Sequence, residues 1–122
     1  MKREIIFSLG FRDMWQSAGK YVPTVDQLTR VAPAIIEMGC FARVETNGGG
    51  FEQVNLLFGE NPNKAVREWT KPFHAAGIQT HMLDRALNGL RMSPVPDDVR
   101  QLFYKLKKAQ GTAIARAFCC LT

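Results

Sequence analysis

The sequence predicts an α/β fold assembled from parallel βαβ units. Two observations carry the prediction. Short apolar or β-rich runs, "EIIFSL", "CFARVET", "IQTHML" and "AIARAFCCL", alternate with stretches of helical period. The helical stretches also carry capping and stop residues where helices need them, and alternation of this kind favours a parallel sheet with right-handed crossovers.

The elements follow in order. Ile5, Ile6 and Phe7 in "EIIFSL" form the continuous apolar run expected of a strand buried on both faces. After a polar loop, "TVDQ" sets Thr24 and Gln27 at capping-box spacing, and Val25, Leu28, Val31, Ile35 and Ile36 recur at helical period until Gly39, with Pro33 predicting a kink or a restart. "CFARVET" is the second strand and closes on "NGGG", a predicted tight turn, after which "FEQVNLLF" reads as a short helix. In "NPNKAVREWTKPFHAAG", Asn61 is the N-cap, Pro62 the first helical residue and Gly77 the stop, and Pro72 predicts a bend. "IQTHML" is the third strand. "VPDDVRQLFYKLKKAQG" is the clearest helix, with Asp97 and Asp98 in its first turn, lysines near its last and Gly111 beyond. "AIARAFCCL" is the fourth strand.

Two architectures fit this order: a small doubly wound sheet, or the first part of a (β/α) barrel. Both place chemistry at the C-terminal ends of the strands. There the chain has "FRDMWQS", "ETNGGG" and "LDRALNG", three polar loops expected on one rim. Asp13 is a hard oxygen donor suited to a divalent cation, and Arg12 and Arg85 suit a carboxylate held in bidentate fashion. Gln16 and Asn88 suit orientation of a carbonyl or stabilisation of an enolate, and Trp15 reads as a packing lid. The glycines of "NGGG" lack the dinucleotide and P-loop fingerprints. His74 falls in a helix and His81 in the next strand, so they make no metal pair, and His74 reads as a surface or packing residue.

Composition bounds the rest. At 122 residues, 46% hydrophobic and 22% charged, the chain has the length and composition of one globular domain. The net charge of +5 is scattered; only "KLKK" is dense, and on a helix it reads as a solvated face, so no nucleic-acid partner is expected. Three cysteines, with Cys119 and Cys120 adjacent, do not form a secreted disulfide framework; on a strand the adjacent pair would face opposite ways as buried thiols, and a cytoplasmic setting is expected. The N-terminal apolar run is too short for a signal sequence or a transmembrane segment.

"FSLGFRDMWQS" resembles the first-strand motif of the carboxyltransferase domain of biotin-dependent enzymes: pyruvate carboxylase, the oxaloacetate decarboxylase alpha subunit and the transcarboxylase large subunit. That motif runs Arg-Asp, two residues, Gln-Ser, matched here by Arg12, Asp13, Gln16 and Ser17. "EMGCFARVETNGGGFEQ", "ENP" and "LDRALNG" are similar to three further segments of the family in the same order. The resemblance implies a partial (β/α)8 TIM barrel of about its first four strands, with residues 1–122 as the N-terminal half and no second domain. It implies Asp13 as a ligand of a divalent metal (zinc, manganese or cobalt), and Gln16 and Arg85 in contact with the keto acid, with Arg12 beside them. Carboxybiotin would arrive on a carrier domain or subunit and give up carbon dioxide to the enolate of pyruvate, or receive it from oxaloacetate in a decarboxylase. Ser8, Met14, Trp15 and Ala86 depart from the family's usual Asp, small residue, His and Gly.

The lysine, His-x-His pair and threonine of the family's later strands have no counterpart, so the chain alone is expected to lack activity and to associate with the remaining half of the barrel or with itself. Two other readings stand beside this one. The acyl-transfer and lyase barrels related to isopropylmalate synthase share Arg-Asp and a nearby Gln, but Ser17 and "ETNGGGF" favour the carboxyltransferases. A non-catalytic binding or assembly module rests on net charge alone.

Overall fold

The computed structural model describes residues 23–88 and 93–118. In chain order the elements are α1 (Val25–Met38), β1 (Arg43–Gly48), α2 (Gly49–Leu57), α3 (Pro62–Ala75), β2 (Gln79–Arg85), α4 (Asp97–Gln110) and β3 (Ile114–Phe118). Among the described residues β1, β2 and β3 form one sheet in that order, and both pairings are parallel. The expected strand at "EIIFSL" lies outside the described residues.

The capping signals act as the sequence predicts. Thr24 and Gln27 close a reciprocal capping box on α1, and Gly39 ends it in the left-handed region at φ 62°. Asn61 accepts the amides of Asn63 at 2.9 Å and Lys64 at 3.4 Å at the start of α3. Neither internal proline interrupts its helix: Pro33 sits within α1 and Pro72 within α3. The residues flanking each proline anchor the helix, Ala32 and Ile35 in α1 and Thr70 and Phe73 in α3, so tertiary packing offsets the lost backbone bond.

The core lies between the sheet and helices α1 and α3. It comprises Val25, Leu28, Ala32, Ile35, Val44, Ala65, Val66, Trp69, Phe73 and Ile78, with Trp69 and Phe73 edge to face at 5.0 Å. Val31, expected on the buried stripe, is 44% exposed, and Ala32 takes its place. The predicted turn at "NGGG" is absent. Asn47 and Gly48 complete β1, and Gly49 begins α2 directly. β1 has instead an irregularity earlier, between Glu45 and Asn47, where Thr46 is the extra residue. The Thr46 carbonyl accepts the Trp69 indole N–H at 3.0 Å, so the core aromatic satisfies a backbone group at the bulge.

The "KLKK" face is only partly solvated. Lys105 and Lys108 are exposed, but Lys107 is 3% exposed and ion-paired with Glu52 of α2, its ammonium 5.5 Å from the Phe103 ring centroid. A lysine can be buried here because α2 brings a carboxylate to it.

Candidate active site

Directly paired residues in a sheet share a face, so the register sorts the polar side chains. Glu45 pairs with His81, His81 with Ile114, Leu83 with Arg116, and Arg85 with Phe118. These residues share one face. Val44, Thr80, Met82 and Asp84 lie on the other, where Thr80 meets His74 of α3 at 3.0 Å and Asp84 accepts the Tyr104 hydroxyl of α4. His74, expected as a surface or packing residue, is exposed overall with its ring tip on Thr80.

Arg85 closes β2, and Asn88 closes the turn after it by donating its backbone N–H to the Arg85 carbonyl at 3.0 Å. The Ala86 N–H donates to the Phe118 carbonyl at 2.8 Å, tying this turn to the end of β3. Arg85 and Asn88 thus stand together at the C-terminal edge of the sheet, as the sequence predicts for the third polar loop. Arg12, Asp13 and Gln16 lie outside the described residues, as do Trp15, Cys119 and Cys120.

Below Arg85 on the same face is a polar group that motif reading missed. Arg116 of β3 reaches across β2 to Glu45 of β1, Nη2 to Oε2 at 3.2 Å, over the strand that carries His81. Glu45 and His81 are buried. Burial is the main cause that lowers the His81 imidazole below its usual 6.5; the Glu45 carboxylate opposes it, and Arg116 and Arg43 reinforce it. The signal was present as a period of two: Arg43 and Glu45 in "RVETNG", His81 and Arg85 in "QTHMLDR", Arg116 in "IARAF". Among the described residues this face carries three arginines against one glutamate, a balance that suits an anionic ligand.

No protein-family model matches the chain, and no curated protein does. Solved structures do. The carboxyl transferase domain of Rhizobium etli pyruvate carboxylase is similar at a TM-score of 0.81 and 23% identity, over 99% of this chain and 20% of that one. The fold is that of part of a carboxyltransferase domain. A single-residue variant of the same domain, solved with pyruvate, is similar at a TM-score of 0.79 and 23% identity, covering 99% of this chain and 21% of that one. The chain therefore spans about a fifth of the length of the carboxyltransferase chains it matches.

Within this carboxyltransferase fold, the described residues include no group of three or more His, Cys, Asp or Glu side chains that could hold a metal ion, and Asp13, the expected ligand, lies outside them. No described helix is long and apolar enough to cross a membrane.

Proposed function

We propose that the chain is the N-terminal half of a (β/α)8 carboxyltransferase barrel from a biotin-dependent carboxyltransferase or decarboxylase acting on pyruvate or oxaloacetate. The observation that carries the reading is Arg85, set with Asn88 at the C-terminal edge of the sheet in a chain with the carboxyltransferase fold. A guanidinium at this edge can take a keto-acid carboxylate in a bidentate pair. Asn88 lies one turn away for a second polar contact. Arg12 and Gln16 orient the keto acid, and Asp13 supplies one ligand to zinc, manganese or cobalt. When bound, that cation supplies a Lewis acid for the negative charge that develops on the substrate oxygen. Biotin comes on a separate domain or subunit.

One metal ligand and part of a substrate rim do not make a complete site. The chain alone is inactive and works in the cytoplasm joined to the remaining half of the barrel, or self-associates. The test is turnover of oxaloacetate to pyruvate by this chain, alone and mixed with a separately produced second half of a homologous barrel, with and without divalent metal. Activity only on mixing, lost in Asp13→Ala and Arg85→Ala, supports the reading. Activity of the chain alone, or none in any mixture, refutes it.

A further inference from the structure

The two residues that flank Arg85 are both held by α4. On the helix side of the sheet, Tyr104 donates its hydroxyl to Oδ2 of the buried Asp84. One turn earlier on α4, Arg100 donates from Nη1 to the Ala86 carbonyl at 2.8 Å, and is itself paired with Asp97 in the helix's first turn. Arg100 and Tyr104 are four residues apart, on one face of α4, and both reach the end of β2. From the opposite side the Ala86 N–H is taken by Phe118.

An aspartate is out of place on the helix-facing side of a parallel sheet, where apolar residues are the rule. Burial raises the Asp84 carboxyl above its usual 3.8, and burial together with the Asp84 contact pushes Tyr104 up to about 12. A leucine at residue 84 would avoid that cost but would leave Tyr104 nothing to hold.

We infer that Tyr104 and Arg100 are positioning residues for Arg85: α4 fixes the chain on both sides of it, so that its guanidinium meets a carboxylate ligand at one angle. The inference rests on the reading of Arg85 as the carboxylate-binding residue. A bidentate contact tolerates little misalignment, and a shift of about 1 Å can cost a hundredfold. Fixing residues 84 and 86 sets the direction of the bond from the Arg85 Cα to its Cβ, leaving only the side-chain torsions to adjust.

The test uses Tyr104→Phe and Arg100→Gln, with Arg100→Lys as the conservative variant. Nitrogen-15 relaxation at Arg85 Nε and at the amides of residues 84–88 reports positioning without any ligand, and titration with oxalate reports its consequence. Both variants should lower order at Arg85 and weaken oxalate on the order of tenfold; Arg100→Lys, which keeps a donor for Ala86, should restore most of both. Leu28→Ala, a core truncation in α1, should lower thermal stability without changing Arg85 order or oxalate affinity. That separates positioning from general loosening. Unchanged Arg85 order in both variants overturns the inference. Wild-type protein that ignores oxalate, while Arg85 order still falls in the variants, supports the clamp and refutes carboxylate binding by this chain alone, leaving the complemented barrel of the proposed function to be tested by turnover. Should Tyr104→Phe fail to fold, Arg100→Gln, at a partly exposed residue, carries the test.

Discussion

Gly111 joins α4 to β3, and a single methyl group there should unsettle the junction. Its φ is +114°, and a Cβ added to it would stand 2.4 Å from the Thr70 hydroxyl and 3.2 Å from the Thr70 Cβ. Thr70 cannot turn away freely, because its hydroxyl is bonded to the Val66 carbonyl at 2.8 Å in α3. Gly111 is held in turn: its carbonyl accepts the Thr80 hydroxyl at 2.5 Å, and the next residue, Thr112, donates its N–H to the Lys107 carbonyl at 2.9 Å. Gly111→Ala therefore incurs about 1–2 kcal/mol of backbone strain and about 1–3 kcal/mol of overpacking. The expected loss is about 2–5 kcal/mol, a large part of a domain's usual stability.

Urea denaturation measures this loss, and a double-mutant cycle with Thr70→Ala separates its parts. Removing the hydroxyl should return the overpacking share but not the backbone strain, giving a coupling of about 1–3 kcal/mol. A cost for Gly111→Ala below about 1 kcal/mol, or strict additivity with Thr70→Ala, would refute the steric argument.

Two further perturbations concern buried charge. The folded pKa of His81 lies below its unfolded 6.5, so between those values the unfolded chain binds the extra proton and stability falls as pH drops below 6.5. Denaturation at pH 7.5 and 5.5 should show His81→Gln losing less stability than wild type; equal slopes would sink this. Glu52 and Asp84 act in the opposite sense, their folded pKa values raised above 4.5 and 3.8, and cancel in that comparison. Lys107→Met leaves the Glu52 carboxylate without its partner and should cost about 3 kcal/mol at pH 8. Much of that should return at pH 5 as Glu52 takes up a proton. Glu52→Gln combined with Lys107→Met should lie within about 1 kcal/mol of wild type, and a Lys107→Met loss independent of pH would count against the ion pair.

Much of the fold was legible because its signals are local. Thr24 with Gln27, Asn61 with Pro62, and the glycines at residues 39, 77 and 111 act within a few residues, through capping bonds and positive φ, and the structure has each of them. The alternation of strand and helix was legible for the same reason. The sequence put Arg85 and Asn88 in a loop after "IQTHML", whereas β2 continues through Arg85 and only Asn88 lies beyond it; Arg12, Asp13 and Gln16 stand on a motif outside the described residues.

What the sequence could not show depends on which elements face one another. Nothing near Lys107 in the chain distinguishes it from the exposed Lys105 and Lys108; only the approach of α2 with Glu52 makes its burial tolerable. Glu45 and Arg116, 71 residues apart, become an ion pair because β1 and β3 flank β2 in one sheet. Asp84 looks like an ordinary rim residue beside Arg85 until the pleat turns it toward α4 and Tyr104. By itself the sequence determined the order of strands and helices and the caps of α1 and α3, since those follow from backbone bonding over one or two turns, but not the ends of β1 and β2. The tertiary structure alone decided which charges are buried and which side chains brace Arg85, because desolvation and pairing depend on neighbours that the chain brings together only when folded.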